Sequence, residues 1–223
     1  MIEYLDPQNF GVVRSKLDAD NLDMVWELVK RNSPKSAKWD NNKLLDIETH
    51  DKQWAIRDPD RKFENNVLRP CIDAYINHYG LPCKTKTTHT HDIVFNRLWC
   101  RASTRHDYHS LHDHKSILTF ILWLNVPVDS RIEKNIEYGF RPDAGEVVLT
   151  YSDITGSHRK MHFDLSPENN GQMIVFPSDI NHCVYPTQTT DEYRLSVAGD
   201  ISLSSLDIHK IIDPESDPRL NYD

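Results

Sequence analysis

The stretch SILTFILWLNVP, residues 116–127, indicates the fold of this chain. It is short, rich in β-branched and aromatic residues, and bounded by Asn125 and Pro127, which is typical of a buried strand. Five further segments of the same character lie around it, at 91–100, 145–153, 158–165, 171–178 and 193–201. Because no helix-length segment separates them, the sequence predicts a sandwich or barrel rather than a βαβ sheet.

The part of the chain before these strands carries helical patterns. Residues 18–32 place apolar side chains at spacings of three and four, which predicts one buried helix face. A second stripe spans 64–78, where Pro70 predicts a kink or a split and Gly80 predicts the end. The polar stretch 33–59 predicts connections with one short strand.

We therefore expect one structural domain in three parts, mainly β with N-terminal helices. Residues 1–87 are expected to form a helical and loop buttress packed on the core, and residues 88–202 the β core. Residues 203–223 are acidic, contain proline and predict a peripheral tail.

The composition excludes several classes of protein. The chain has 223 residues with 26 Lys and Arg against 34 Asp and Glu, and this net charge of −8 argues against a nucleic-acid partner. No apolar run approaches the roughly 20 residues of a membrane span, and the first ten residues lack the layout of a secretory signal. The four cysteines form no CxxC motif, so we expect reduced thiols in a cytoplasmic protein.

Histidine is the unusual residue, since six of the twelve histidines lie between 89 and 114. His112 and His114 are one residue apart, so on a strand both imidazoles project from one face, and Asp113 points the other way. His182 follows 68 residues after His114, directly after an apolar strand. Two close ligands and one distant ligand suit an open, catalytic metal site, although an isolated HxH pair is also typical of exposed strand residues.

Arg194 lies twelve residues after His182, in the segment YRLSVAGD. On a strand Arg194, Ser196 and Ala198 share one face. An arginine between small residues suits a buried anion, because its planar fork can hold a carboxylate by two parallel hydrogen bonds. The alternative is an arginine that pairs with one of the chain's own carboxylates.

Together, His112-Asp113-His114, the strand at 116–127, MIVFPSDINHCVYP at 173–186 and DEYRLSVAGDI at 191–201 resemble the Fe(II)- and 2-oxoglutarate-dependent dioxygenases. The resemblance covers residues 88–202 and is closest to the prolyl-hydroxylase-like branch of phage and marine microbial type. It implies a double-stranded β-helix, or jelly roll, buttressed by helices on one face. A phage-encoded member would work in the host cytoplasm.

The resemblance also implies the cofactors Fe(II), 2-oxoglutarate and O2, with ascorbate in a supporting role. His112 and His182 match the first and last iron ligands of the family. Arg194 and Ser196 match the pair that binds the far carboxylate of 2-oxoglutarate. Trp123 occupies a strand position where related enzymes often place an aromatic residue near this cosubstrate, and it also suits core packing.

The middle ligand departs from the family pattern, in which an aspartate or glutamate stands two residues after the first histidine. Here that residue is His114, and a site of three imidazoles suits Fe(II) but carries one negative charge less. Two alternatives stay open: Asp113 could ligate through a bulge, or His114 could be no ligand. A literal HxD, His162-Phe163-Asp164, ends only eighteen residues before His182, which leaves too little chain for the intervening strands.

The implied function is hydroxylation of an unidentified substrate, a prolyl or other side chain or a small molecule, with release of succinate and CO2. One alternative is a cupin-like metal enzyme that does not use 2-oxoglutarate, for which Arg194 would have no purpose. The other is a non-enzymatic jelly-roll binding module, which would hold no stoichiometric metal.

Overall fold

The computed structural model describes residues 2–5, 10–48, 52–80, 92–135 and 142–204. Within them the strands are β1 Ile2–Leu5, β2 Val12–Lys16, β3 Lys38–Asp40, β4 Lys43–Asp46, β5 Gln53–Ala55, β6 Asp92–Ser103, β7 His109–His112, β8 Leu118–Asn125, β9 Val147–Ser152, β10 His158–Phe163, β11 Gln172–Pro177, β12 Asn181–Val184 and β13 Arg194–Ser204. The helices are α1 Ala19–Asn32, α2 Arg69–Tyr79 and α3 Ser130–Glu133, with a π-helical turn Glu64–Leu68 and a 3-10 turn Pro167–Asn169.

The strands form two principal antiparallel sheets. The larger has seven strands in the order β1-β2-β11-β8-β13-β6-β5, and the smaller has four in the order β10-β9-β12-β7. Between β6 and β13 the chain passes repeatedly from one sheet to the other, so that β6, β8, β11 and β13 face β7, β9, β10 and β12. This is the predicted double-stranded β-helix, and β3 and β4 form a separate hairpin.

Alternation along the central strands builds two hydrophobic cores. The core between the seven-stranded sheet and the helices takes one face of β8, which consists of Leu118, Phe120, Leu122 and Leu124. The interior between the two sheets takes Ile121 and Trp123 from the other face. On β13 the same alternation sends Val197 towards the helices and Ala198 into the interior. The interior face of β13 therefore includes Arg194 and Ser196, as predicted.

The helices form where the apolar spacing predicts them. Helix α1 begins after Asp18, whose side chain accepts a hydrogen bond from the Asn21 backbone N–H. The second predicted helix is split, as Pro70 suggested: a π-helical turn precedes α2, and Pro70 lies in the first turn of α2, where its missing N–H costs nothing. Helix α2 ends at Gly80, which adopts a positive φ of 77°, and it packs against β2 and β11.

The N-terminal part contributes more strands than the sequence suggested. Strands β1, β2 and β5 join the seven-stranded sheet, although we expected helices, connections and one short strand in this part of the chain. Val12 and Val13 are both fully buried, one in each core, because β2 is covered on both faces. Alternation of polar and apolar residues therefore could not reveal β2, and β3 to β5 are too short to show a period.

Two predicted segments fall partly outside the described residues. Strand β13 continues to Ser204, beyond the expected core boundary, and residues 205–223 of the expected tail are not described. His89 and His91 lie in residues 81–91, which are also outside the described residues. In the described part of the chain, no helix is long and apolar enough to cross a membrane.

Candidate active site

A partly enclosed pocket lies inside the jelly roll, between the two sheets. All six residues singled out in the sequence line it: His112, His114, His182, Trp123, Arg194 and Ser196. The remaining walls are largely apolar, with Ile121, Val147, Val184 and Ala198. Residues from β6, β7, β8, β9, β12 and β13 thus meet in one cavity.

Strand pairing brings the three histidines together. His112 on β7 is the direct cross-strand partner of His182 on β12, which places both imidazoles on the interior side. His114 lies just beyond β7, and its backbone N–H donates to the Ser178 carbonyl at 2.8 Å. One ring nitrogen from each histidine lies within 4.8 Å of the others. The three side chains can therefore reach one metal ion.

Nδ1 of each histidine already has an oxygen partner. Nδ1 of His112 lies 2.7 Å from the Ser110 carbonyl oxygen, and Nδ1 of His182 lies 3.1 Å from the Ile180 carbonyl oxygen. Nδ1 of His114 lies 2.9 Å from Oδ1 of Asp200. Because a carbonyl oxygen only accepts, Nδ1 carries the proton in His112 and His182. The atom left with a lone pair is then Nε2, which is the usual arrangement behind metal-binding histidines.

Burial favours the neutral form of His112 and His182. His182 is only 3% exposed, and burial, followed by the nearby His112, lowers its pKa to about 3. Burial also lowers the pKa of His112. His109, whose ring centroid lies 4.1 Å from that of His112, has its pKa lowered to about 3, again chiefly by burial. Metal ligation needs neutral imidazole, so this donor set fits Fe(II).

The structure separates the two alternative carboxylates from the pocket. Asp113 is exposed and does not belong to the cluster of candidate ligands. His162 lies elsewhere, with Nδ1 2.6 Å from Oε2 of Glu146, in a second cluster that includes Asp143. Lys134 forms ion pairs with Glu146 and Asp164 in that cluster. Cationic side chains thus already balance the acidic groups there.

Arg194 is buried, with 4% of its surface exposed, and lies beside the histidines. Its guanidinium donates to the carbonyl oxygens of Gly145 at 3.0 Å and of Tyr185 at 3.1 Å. Burial lowers the pKa of Arg194 to about 10, with the nearby Arg101 as the next cause. Within the described residues, Arg194 donates its hydrogen bonds to backbone carbonyls and to no carboxylate. The pocket therefore contains a charged guanidinium that is held in place and can still bind an anion.

Sequence reasoning missed two charged residues of the site. Arg101 on β6 lines the pocket and pairs across the sheet with Ser196 on β13. Asp200 lies on β13 behind His114. Alternation from Arg194 through Ser196 and Ala198 leads to Asp200, so a signal for it was present. The lining residues of the pocket include two guanidinium groups and no carboxylate, which suits a dianion such as 2-oxoglutarate.

Comparisons with known proteins agree with this geometry. The model of a family described as "Putative 2OG-Fe(II) oxygenase" matches residues 97–200. No curated protein matches the chain. Residues 97–200 run from β6 to β13 and contain every proposed site residue.

Three solved structures are distantly similar. An oxidoreductase of the 2OG-Fe(II) oxygenase family from Burkholderia pseudomallei shows 13% identity over 86% of this chain and 84% of that chain, with a TM-score of 0.47. A prolyl-4-hydroxylase from Pseudomonas putida shows 16% identity over 88% and 95%, with a TM-score of 0.45. IDO from Bacillus thuringiensis shows 12% identity over 87% and 91%, with a TM-score of 0.48. Residues 97–200, which form the jelly-roll core, thus match the 2OG-Fe(II) oxygenases, a family whose enzymes use Fe(II), 2-oxoglutarate and O2.

Proposed function

We propose that this oxygenase hydroxylates an organic substrate, holds Fe(II) on His112, His114 and His182, and releases succinate and CO2. The observation that carries the proposal is the arrangement of the three imidazoles. Each has Nδ1 bound to an oxygen, and one ring nitrogen of each lies within 4.8 Å of the other two. Such a set of three fixed imidazole donors leaves further coordination positions for a cosubstrate.

Bound Fe(II), with 2-oxoglutarate and O2, supplies the oxidation of a substrate C–H bond. The protein's part is to hold the donors in one orientation. The backbone carbonyls of Ser110 and Ile180 fix the rings of His112 and His182, so little reorganisation is needed when the metal binds.

Arg194 and Ser196 are proposed to hold the far carboxylate of 2-oxoglutarate. The buried guanidinium gives a charge-assisted hydrogen bond shielded from water, and the hydroxyl of Ser196, on the same strand face, can donate a second bond. The carbonyls of Gly145 and Tyr185 restrict Arg194 to one position. Trp123 is 1% exposed and forms an apolar wall for the cosubstrate.

The apolar walls of the pocket exclude water from the reacting carbon. Ile121, Val147, Val184 and Ala198 present no hydrogen-bonding side chains to it. A dry wall strengthens the electrostatic interactions inside the pocket and protects a reactive oxidant from water. For the substrate, the resemblance to the prolyl-hydroxylase-like branch supports a prolyl or other side chain of a protein or peptide.

The test is succinate formation by the purified protein supplied with Fe(II), ascorbate as reductant and 2-oxoglutarate. We expect slow formation without substrate, faster formation with an accepted peptide or small molecule, and none with His182→Ala. Binding of metal without binding of 2-oxoglutarate would contradict the proposal and favour a cupin-like enzyme. Absence of stoichiometric metal would favour a binding module.

A further inference from the structure

Asp200 contacts His114, the residue that stands where the family pattern has a carboxylate ligand. Asp200 is 7% exposed, lies on the interior face of β13, and places Oδ1 2.9 Å from Nδ1 of His114. A buried carboxylate is costly unless it is hydrogen-bonded. The partner that meets this cost is His114, the one proposed ligand that departs from the family pattern.

A chain of buried hydroxyl groups holds Asp200 in place. Oγ1 of Thr119, the cross-strand partner of Asp200 on β8, donates to the same carboxylate oxygen at 3.3 Å. Thr119 in turn lies 2.8 Å from the Ser178 hydroxyl, which lies 2.6 Å from that of Ser116. Since the Ser178 carbonyl also accepts the backbone N–H of His114, the same network fixes both the backbone and the side chain of this ligand.

The ring of His114 is also confined by its neighbours. The Trp99 ring is stacked on it at 5.7 Å with a 17° interplanar angle. The His182 ring lies 5.1 Å away at 8°. Stacking against these rings disfavours rotation about the Cβ–Cγ bond of His114, and the hydrogen bond to Asp200 fixes which ring nitrogen faces the carboxylate. Nε2 then remains as the atom directed at the metal.

We propose that Asp200 is a positioning residue that supplies, through His114, the negative charge that a carboxylate ligand would supply directly. A carboxylate that accepts the Nδ1–H of a metal-bound imidazole fixes its tautomer and raises its basicity. His114 lacks the negative charge of the usual carboxylate ligand, and Asp200 carries such a charge one hydrogen bond away from the metal. The proposal rests on the ligand set given under the proposed function.

The test is titration of the metal-free protein with Mn(II), which is followed by the loss of the free Mn(II) electron paramagnetic resonance signal. Asp200→Asn keeps an oxygen that can accept the Nδ1–H and removes only the charge. We expect it to weaken Mn(II) binding about 10- to 100-fold. Asp113→Asn is the matched control, because it removes the same charge from the residue beside His114 without touching an imidazole.

A second set of variants places a carboxylate directly among the proposed metal ligands. In a His114→Asp background the usual ligand pattern is present, so Asp200→Asn should leave Mn(II) binding unchanged or tighten it. An equal loss in both backgrounds, or no loss in the natural one, would overturn the role of Asp200 while leaving the metal site intact. Failure of the natural protein to bind Mn(II), or loss of binding in Asp113→Asn, would overturn the ligand set itself and with it this proposal.

A measurement on the natural protein avoids any dependence on the folding of variants. Nitrogen-15 NMR of the metal-free protein reports which ring nitrogen of His114 carries the proton. We expect the Nδ1–H tautomer, with the lone pair on Nε2. The opposite tautomer would show that Asp200 does not hold His114 in the ligating form.

Discussion

At the residue scale, the pocket combines neutral imidazoles with positively charged guanidinium groups. Burial holds the pKa of His182 and His109 at about 3, whereas Arg194 stays cationic with a pKa of about 10. Near neutral pH His182 and His109 are therefore uncharged, and Arg194 makes the anion subsite positive. The two halves of the pocket are suited to a cation and an anion respectively.

Replacement of Arg194 should separate these two functions. We expect Arg194→Ala to weaken 2-oxoglutarate binding to the Mn(II)-loaded protein by about 2–3 kcal/mol or more, because a charge-assisted hydrogen bond is lost. Mn(II) binding should change little. Isothermal titration of each ligand measures the split, and Arg194→Lys, which keeps the charge without the fork, should give an intermediate loss. Equal weakening of both ligands would indicate collapse of the pocket instead.

The depressed histidine pKa values predict how the stability of the metal-free protein depends on pH. Unfolded imidazoles bind protons below about pH 6.5, while His182 and His109 in the folded protein stay neutral to about pH 3. The unfolded state binds more protons in this window, so the free energy of unfolding rises with pH. Each group contributes a slope of up to about 1.4 kcal/mol per pH unit.

Urea denaturation between pH 4 and pH 7 measures that slope. His182→Gln removes one of the two groups, so the free energy of unfolding of this variant should depend less steeply on pH. An unchanged slope would mean that the pKa of His182 is the same in the folded and unfolded states, which would contradict an imidazole held neutral by burial.

The sequence was sufficient to place His112, His182 and Arg194 in one pocket, because strand alternation and the family motif point to the same residues. It was not sufficient for Asp200. Buried carboxylates are rare unless they have a partner, and the partner of Asp200 is His114, 86 residues earlier. Only the pairing of β13 with β8 and the turn that follows β7 bring the two side chains together.

At the scale of elements, a short helix fixes the segment between the last histidine and Arg194. Glu133 of α3 is fully buried and accepts hydrogen bonds from the backbone N–H groups of Gln188 and Thr189 and from the Thr189 hydroxyl. This segment connects β12, which carries His182, with β13, which begins at Arg194. Glu133 therefore restrains the path from the metal subsite to the anion subsite.

We expect Glu133→Ala to lower the free energy of unfolding by about 2–3 kcal/mol, because two backbone donors and one hydroxyl lose a buried, charged acceptor. Chemical denaturation measures the loss. Ile132→Ala is the control on the same helix, since that side chain is 60% exposed and its truncation should change stability little. A similar cost for both variants would show that the helix matters only through its general packing.

Elements with a pronounced period were predictable, and those without one were not. Helix α1 was recognised from its apolar stripe, and the interior face of β13 followed from alternation. Strand β2 escaped because both of its faces are buried, and β5 because it has only three residues. Coverage on both faces and shortness remove the periodic signal on which such predictions depend.

At the scale of the whole molecule, the proposed metal connects parts of the chain that are far apart in sequence. It would join β7, the segment after β7 and β12, so binding to the folded state alone should stabilise the entire jelly roll. At a free Mn(II) concentration of 100 times Kd we expect about 2.7 kcal/mol of stabilisation. For a domain of this size that corresponds to a rise in Tm of about 5–10 °C.

Differential scanning calorimetry with and without Mn(II) measures this rise. It should vanish in His182→Ala and persist in His158→Ala, which alters an exposed histidine. If His162→Ala abolished it instead, the metal would be bound at the cluster of Asp143, Glu146 and His162, and the proposed site would be wrong.

The most direct test of the metal and cosubstrate assignment is a crystal structure of the protein prepared without oxygen, with Mn(II) and 2-oxoglutarate bound. We predict Mn(II) on Nε2 of His112, His114 and His182, with the far carboxylate of 2-oxoglutarate on Arg194 and Ser196. Coordination by Asp113 in place of His114, or a 2-oxoglutarate carboxylate that does not meet Arg194, would contradict it.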